Sequence, residues 1–307
     1  PTLYGTSSAN ASIEIFDGVT SLGTTTADGA GNWSFTTAAL GEGDHEFTAV
    51  ATAPGGYTAS DPSAALELTV DSVAPGQPVI TGMSEDTGSS AFDNNTSDTT
   101  PTISGTADAN ATVRVYRGGA FLGETTADGS GDWSYTTPLL PDGYHYLTAR
   151  QYDAAGNGSA ISATRIVTVD TTAPTLTITS PVAGDNLVNG SEDNYFNVSG
   201  TVAGGAQSVH VTFTDSLGAT VTGTAAAGGT AWTLSGANIS GLQNGEITVE
   251  AYALDWAGNQ SATVTHTFEL DNIGPAAPVI TGFTDQTGPS ATQTSDTTHT
   301  LTGTAGA

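Results

Sequence analysis

The chain lacks cysteine and lysine. Its basic side chains, histidine apart, are four arginines set against 31 acidic residues, which gives a formal net charge of −27. A polyanion such as nucleic acid is repelled by this field, and no basic patch exists to release its counterions. We therefore expect no nucleic-acid partner and favour partners of positive charge, of which metal cations are the simplest. The absence of cysteine excludes disulfides as cross-links.

Long apolar runs are also missing. No stretch approaches the roughly 20 apolar residues of a membrane-spanning helix, and Pro1 to Gly5 show neither a basic leader nor an apolar core, so any export signal is expected outside this segment. The five histidines are scattered singly, without the paired spacing of a zinc site. Nucleophile elbows, phosphate-binding loops and metalloprotease motifs do not occur. We predict that the chain is not an enzyme.

What the sequence does contain is a repeat of about a hundred residues. Residues 1–37 align with residues 101–137 without a gap, including Trp33 with Trp133. A second anchor recurs as VDSVAP from Val70, VDTTAP from Val169 and LDNIGP from Leu270. The predicted domains are residues 1–71, lacking a first strand, then 72–170, 171–271 and an amino-terminal fragment at 272–307.

Within the second repeat, apolar alternation predicts seven short strands separated by Gly, Asp and Asn clusters. Lettered A to G in chain order, they are Pro78 to Thr81, Thr102 to Gly105, Thr112 to Tyr116, Leu122 to Thr126, Trp133 to Thr136, Tyr146 to Tyr152 and Thr164 to Val169. Seven strands with turns about every 8–12 residues are typical of an immunoglobulin-like sandwich. The fold class is therefore all-β, with Ig-like sandwiches in tandem, end to end. Val113, Val115, Trp133 and Tyr135 are expected inside.

Several segments carry a more specific resemblance. The linker VDTTAP, the turn TTADGSGDWSY, the segment LPDGYHYLTA and the loop YDAAGN resemble the bacterial Ig-like repeats of giant surface adhesins, including type I-secreted and biofilm-associated proteins. The resemblance implies a stalk outside the bacterial cell that projects a terminal adhesive domain, and the missing disulfides agree with a bacterial exterior. The third repeat departs from the pattern, with AGGTAWTL where the others have DGxGxWS. The first departs in its F–G loop, at Ala53 to Gly56.

Strand direction in such a sandwich brings the B–C, D–E and F–G loops of one repeat to the end of strand G of the repeat before. Acids gathered there, with no lysine to pair them, repel one another unless some are protonated or a cation binds. Calcium takes six to eight oxygen ligands in flexible geometry. We predict a Ca²⁺ ion at each junction, and the resemblance implies calcium stiffening without fixing the ligands. The candidate ligands are Asp71, Asp98, Asp108, Asp128, Asp153, Asn157, Asp170, Asp255, Asn259 and Asp271.

Alternatives remain at this point. Aspartates in Gly-rich turns often serve turn geometry, and Asp128 can cap its own turn. One rival function is a binding module that grips a glycan or host protein through the least regular repeat, and another is a metal-free acidic spacer. We predict a monomer whose partners are calcium ions and neighbouring repeats of the same chain. Strand exchange between the incomplete ends is an alternative to their being disordered.

Overall fold

The computed structural model describes residues 1–55, 58–283, 297–298 and 300–304. Within them the chain is built of β-strands, with one short 3-10 turn at Val182–Gly184, so the predicted all-β class is confirmed. None of the described helical residues forms a segment able to cross a bilayer. The chain divides into two compact units: Pro1–Ser84, Thr100–Leu139 and His145–Ile166 form one, while Glu85–Thr99, Leu140–Tyr144 and Val167–Ala307 form the other.

The first sandwich contains six strands. They are β1 (Thr2–Thr6), β2 (Ser12–Asp17), β3 (Thr20–Thr26), β4 (Asn32–Thr36), β5 (Gly43–Thr52) and β6 (Leu66–Val70). Strands β1 and β4 form one sheet, and the other has the order β3-β2-β5-β6. Alternation places Leu3, Ile13, Ile15 and Phe47 in the interior. Among the described residues no strand pairs with β1 on the side opposite β4, and Trp33 is accordingly only half-buried.

The second sandwich contains all seven predicted strands plus a short eighth. They are β7 (Val79–Met83), β8 (Asn95–Thr96), β9 (Thr102–Thr106), β10 (Thr112–Arg117), β11 (Ala120–Thr126), β12 (Asp132–Thr136), β13 (Gly143–Tyr152) and β14 (Arg165–Val169). The sheets have the orders β12-β9-β7 and β11-β10-β13-β14-β8. Sequence patterning missed β8 because two polar residues carry no alternation; β8 pairs in parallel with β14. Val113, Val115 and Trp133 are buried as predicted, whereas Tyr135 is only half-buried.

The third sandwich is one continuous eight-stranded sheet in the order β15-β17-β20-β19-β18-β21-β22-β16. Its strands are β15 (Thr175–Leu176), β16 (Leu187–Asn189), β17 (Phe196–Ala203), β18 (Ala206–Thr214), β19 (Thr220–Gly228), β20 (Ala231–Ala237), β21 (Gly245–Asp255) and β22 (Val264–Asp271). Strands β19 and β20 pair next to the turn that joins them, Ala227 with Trp232 and Gly228 with Ala231. A tight hairpin thus replaces the open D–E loop, which is why the DGxGxWS pattern is absent here. Trp232 keeps the core position and is 2% exposed.

The last two described strands form a pair of their own. Strand β23 (Val279–Phe283) pairs antiparallel with β24 (Leu301–Thr304), and the register shift between Ile280 and Gly282 repeats that between Ile80 and Gly82. Strand A of this repeat therefore pairs with strand B of the same chain. Residues 284–296, which carry the rest of the predicted A–B loop, lie outside the described residues, as do Gly56 and Tyr57 of the first F–G loop. The predicted domain boundaries stay predictions.

Candidate functional site at the junctions

The three strand-end aspartates make the same local turn. Asp71 Oδ1 accepts a hydrogen bond from the Val73 N–H at 3.0 Å, Asp170 Oδ1 from Thr172 at 2.9 Å and Asp271 Oδ1 from Ile273 at 3.2 Å. Such Asx turns occur because a short carboxylate reaches the backbone two residues on. Each linker thus leaves strand G in a defined direction.

At the first junction an F–G loop of the second sandwich meets this strand end. Asn157 donates its backbone N–H to Asp153 Oδ1 at 2.8 Å and its amide Nδ2 to Asp153 Oδ2 at 2.9 Å. The same Nδ2 donates to the backbone carbonyl of Asp71 at 3.0 Å. The structure therefore brings together Asp71, Asp153 and Asn157, three of the predicted ligands, and the asparagine amide joins two consecutive repeats.

The second junction repeats this arrangement. Asn259 donates its backbone N–H to Asp255 Oδ1 at 2.9 Å and its Nδ2 to Asp255 Oδ2 at 2.9 Å and to the Asp170 carbonyl at 2.7 Å. Asp255 is 2% exposed. Because identical contacts recur with different flanking residues, AAG in one loop and WAG in the other, they are a property of the repeat. We call this arrangement the asparagine latch.

Hydrogen bonding stabilises the ionised form of Asp153, the latch carboxylate of the first junction. Burial raises the pKa of Asp153, but the side-chain and backbone hydrogen bonds of Asn157 and those from Gly156 and Ala155 outweigh it, so the pKa of Asp153 lies below its usual value. The carboxylate is therefore ionised at neutral pH. A negative oxygen faces the Asn157 amide, and the Asp71 carbonyl, also a hard oxygen, faces the same amide.

A second recurring contact was missed by sequence analysis. The E–F loop of each sandwich binds the first linker residues of the same sandwich: Glu42 accepts from the Ser72 N–H and hydroxyl, Asp142 from the Thr171 N–H at 3.3 Å and hydroxyl at 2.9 Å, and Asn244 from the Asn272 N–H at 3.4 Å. Hydrogen bonds from Ser72 lower the pKa of Glu42, and those from Thr171 and Thr172 lower that of Asp142. The sequence clue was an acid at equivalent repeat positions, 42 and 142.

These contacts between the E–F loops and the linkers are expected to weaken in acid in the first two repeats, but not in the third. Because the folded pKa values of Glu42 and Asp142 lie below the unfolded values, their contribution to stability is complete only well above the unfolded values, from about pH 5 to 6 upward. It is lost as the pH falls through the folded pKa. An NMR pH titration of the Ser72, Thr171 and Asn272 amide protons measures this. We expect the chemical shifts of the Ser72 and Thr171 amide protons to change with midpoints below the usual carboxyl range. The Asn272 amide proton, which is bound by a neutral amide, should keep its chemical shift. Midpoints at or above that range contradict the assignment.

The A–B loop of the second sandwich also reaches the third. Thr87 Oγ1 donates to the Ala257 carbonyl, and Gln207 Nε2 donates to Ser89 Oγ at 2.6 Å. Between these contacts Gly88 has φ +91°, and a Cβ there would lie 2.2 Å from the Trp256 carbonyl oxygen. Glycine at 88 is therefore required by both the backbone conformation and the close approach. The A–B loop and the latch-bearing F–G loop are packed backbone to backbone.

This loop contains buried oxygens without hydrogen-bond partners. Asp93 Oδ2 and Asn94 Oδ1 are both inaccessible to solvent and unpartnered, while Asp93 Oδ1 accepts from the Asn95 N–H at 3.0 Å. Asp86 Oδ2 accepts from the Asn94 N–H at 3.1 Å, so the three residues are adjacent. Buried oxygens of this kind cost free energy unless something binds them. Asp93 and Asn94 are not among the ligands predicted from the sequence, because both look like ordinary turn residues.

The other predicted ligands are placed differently. Asp128 Oδ1 accepts from the Ser130 and Asp132 N–H groups at 2.8 and 3.0 Å, so it caps its own D–E turn. Asp108 is exposed and donates its N–H to Gln151 Oε1 at 2.7 Å, while the Asp98 N–H donates to Thr96 Oγ1 at 3.0 Å. In the described part of the chain no three His, Asp or Glu side chains converge into a metal-binding group. Any cation there needs amide and carbonyl oxygens as well.

The oxygen atoms of the asparagine latch and of the A–B loop suit calcium as ligands. Carboxylate, amide and backbone carbonyl oxygens are the ligands that Ca²⁺ prefers, and the latch brings one of each together. A half-turn of the terminal amide of Asn157 or Asn259 presents its oxygen in place of its nitrogen. The unpartnered oxygens of Asp93 and Asn94 also suit calcium, because a hard cation offsets the cost of burying them.

Comparison with known proteins places the chain. The family model described as the bacterial Ig-like domain matches residues 1–72 and 74–171, more than half of the sequence. No curated protein matches it. A crystal structure of a tetra-tandem repeat in the extending region of a large adhesion protein is similar at 24% identity, covering 99% of this chain and 83% of that one, with a TM-score of 0.33.

Two other solved structures are similar at the same level. A structure concerned with host cell surface retention of a 1.5-MDa bacterial ice-binding adhesin matches at 23% identity over 89% of this chain and 91% of that one, with a TM-score of 0.36. Fibronectin(III)-like modules of CbhA from Clostridium thermocellum match at 16% identity over 66% and 94%, with a TM-score of 0.37. Scores this low carry no functional argument. The family match and the observed sandwiches decide the assignment: the chain belongs to the bacterial Ig-like domain family.

Proposed function

We propose that this chain is an extender segment of a bacterial surface adhesin, in which Ca²⁺ at the junctions stiffens the array so that it projects an adhesive domain. The supporting observation is the asparagine latch, made in the same way at two successive junctions. A repeat joined to the next by the same contacts lengthens regularly with copy number. In this function the chain is extracellular and is not an enzyme, because its recurring polar contacts lie at the junctions between repeats.

Calcium would act through two sets of oxygens. At the latch these are the Asp153 or Asp255 carboxylate, the following asparagine, and the carbonyl of Asp71 or Asp170. In the A–B loop they are those of Asp93 and Asn94, with Asp86 beside them. The second set is significant because the same loop contacts the third sandwich through Thr87, Gly88 and Ser89. An ion that orders the loop would thereby order the junction.

Spin-label distance measurements test the proposal directly. The chain has no cysteine, so Thr126→Cys and Thr222→Cys introduce two labels, one in the second sandwich and one in the third. We expect millimolar Ca²⁺ to narrow the distance distribution relative to chelator, since extracellular modules bind in the range of about 10⁻⁴ to 10⁻³ M. Calorimetric titration should show stoichiometric binding.

A matched pair of variants identifies the ligands. Asp93→Ala should reduce the calcium-dependent narrowing, whereas Asp61→Ala, an exposed acid of the first sandwich, should leave it unchanged. A distribution equally narrow in chelator rejects calcium stiffening. That result favours the second candidate, a metal-free spacer, which the asparagine latch supports because its hydrogen bonds need no ion.

A further inference from the structure

All four arginines of this acidic chain lie in the second sandwich, at 114, 117, 150 and 165. Two of them face each other: Arg114 on β10 is directly opposite Arg150 on β13. Both project from the outer face of the sheet, since Val113 and Val115 fill the inner face. Like charges directly opposite on neighbouring strands destabilise a sheet. A chain with 31 acids and four arginines therefore concentrates its cations where they cost stability.

Aromatic rings accompany this arginine pair. The Tyr152 ring lies 4.5 Å from the Arg114 guanidinium carbon and 5.3 Å from that of Arg150. Arg114 is also 5.9 Å from the ring of Phe121, which packs edge-on to Tyr116. Phe121 is 56% exposed although it is a large apolar side chain. Guanidinium and aromatic groups lying side by side form a surface that is both cationic and apolar.

The internal contacts of the arginines leave this surface net positive. Arg114 Nε donates to Glu124 Oε2 at 3.0 Å, and its side chain is 43% exposed. Arg150 donates Nε to the Ser159 carbonyl at 2.7 Å and Nη2 to the Gly158 carbonyl at 3.2 Å, which are neutral acceptors. One carboxylate thus pairs with one of the two guanidinium groups, and the charge of Arg150 is left unbalanced by these contacts. The pKa of Tyr152 is lowered by hydrogen bonding from Tyr116 and by the nearby charges of Arg150 and Arg114.

The first repeat shows that the fold does not require these residues. At the equivalent positions it has Glu14, Phe16, Ser21, Thr24, Val50 and Thr52 in place of Arg114, Tyr116, Phe121, Glu124, Arg150 and Tyr152. The strand pairing is the same, with the same register shift after Ile15 and Val115. Glu14 there only accepts from the Ser21 hydroxyl, at 2.6 Å. The cationic and aromatic surface is therefore specific to the second sandwich.

We propose that this surface binds a carboxylate-bearing saccharide. A groove of about 680 Å³ elsewhere lacks any arginine, whereas the groove here measures about 590 Å³ and is lined by Arg114, Tyr116, Phe121, Gly123 and Glu124. That volume lies within the ~300–1,000 Å³ range of small-ligand sites. Arginine pairs with carboxylates in two-point geometry, the Phe121 face packs on sugar C–H groups, and Glu124 accepts from hydroxyls. A second copy of this chain fits less well, because two bodies of charge −27 repel.

The four arginines make the test specific, because each gives one Nε–Hε signal in a nitrogen-correlated NMR spectrum. The probe is a hyaluronan tetrasaccharide in chelator-containing buffer, with neutral, fully N-acetylated chitotetraose and acetate as comparisons. We expect the tetrasaccharide to shift the Arg114 signal saturably and to leave Arg165 unchanged. Arg114→Gln and Phe121→Ser should each weaken binding by about tenfold or more. Glu14→Gln, the matched position of the first repeat, should have no effect.

Several results overturn the proposal. They are an unshifted Arg114 signal, equal binding of chitotetraose, acetate binding as tightly as the tetrasaccharide, or equal loss in Glu14→Gln. Arg114→Gln relieves a like-charge pair, so its melting temperature is expected to hold; Phe121→Ser, which restores the residue of the first repeat, provides a second variant if it does not. Because the titration contains no free calcium, its outcome is independent of calcium stiffening.

Discussion

Gly105→Ala is expected to detach strand β7 and destabilise the second sandwich by about 3 kcal/mol, the upper end of the cost of overpacking. A Cβ at this position would lie 2.0 Å from the backbone oxygen of Val79 and 2.5 Å from the Trp133 ring. A side chain can turn aside, but a backbone carbonyl within a paired strand cannot. The alanine therefore forces β7 away from β9.

The first repeat provides the matched control. At Gly5 the three atoms nearest to a new Cβ all belong to the Trp33 side chain, the closest at 2.7 Å, and among the described residues β4 is the one strand paired with β1. Since Trp33 is half-buried it can shift, so Gly5→Ala should cost about 1 kcal/mol. Hydrogen exchange followed by mass spectrometry measures both, because it reports protection sandwich by sandwich. Equal losses in the two variants would mean that the Val79 carbonyl is not the obstacle.

The same glycine explains how the sequence encodes strand pairing. Gly-Thr recurs at 5, 105, 200 and 303, and in the last three a backbone carbonyl in or next to strand A lies within 2.6 Å of where a Cβ would stand. Sequence comparison finds the repetition but assigns it no cause, because a glycine in a strand looks like a weakness. The cause is the close approach of a neighbouring backbone, and that depends on a strand about 25 residues away.

Strands and sandwiches were predictable because apolar alternation is local. Val113 and Val115 or Trp133 mark a buried face whatever lies across from them. The junctions were predictable only in outline. Chain direction placed Asp153, Asn157 and Asp71 at one pole, yet the sequence does not reveal that Asn157 bridges two oxygens, because that depends on distances of a few ångströms between separate repeats. For Asp128 the sequence left two alternatives open, a metal ligand or the cap of its own turn, and the structure shows the cap.

The contact between each E–F loop and the linker that follows shows another feature that the sequence does not predict. Glu42, Asp142 and Asn244 serve one role with three different side chains, so residue identity hides their equivalence. What they share is an acceptor oxygen beside the linker, 28 to 30 positions before the N–H that it binds. Such a contact is recognised by geometry and not by residue type. The strand-end aspartates, in contrast, keep the same residue at all three linkers and were found at once.

Asn259 offers the sharpest test of how the junction handles charge. Asn259→Ala removes the donor to the Asp170 carbonyl and to Asp255, a carboxylate that is 2% exposed. Asp255 Oδ2 and the Asp170 carbonyl lose their side-chain donor, while Asp255 Oδ1 keeps the backbone N–H of residue 259. An unpaired oxygen on a buried carboxylate should cost about 2 to 3 kcal/mol, with or without calcium. We expect lower hydrogen-exchange protection of the F–G loop and of the linker after Asp170. Asn157→Ala should do the same at the first junction, which checks that the loss is local.

Asn259→Asp replaces a hydrogen-bond donor by a negatively charged oxygen, so that attraction to the neighbouring oxygens becomes repulsion. A carboxylate oxygen would stand where Nδ2 now lies, 2.9 Å from Asp255 Oδ2 and 2.7 Å from the Asp170 carbonyl. In chelator this variant should be less protected than Asn259→Ala, because two carboxylates repel where the alanine leaves only a gap. With millimolar Ca²⁺ the order should invert, since two carboxylates and a carbonyl are favourable calcium ligands and alanine supplies none. An aspartate variant that matches the alanine variant under both conditions would mean that electrostatics do not govern this joint.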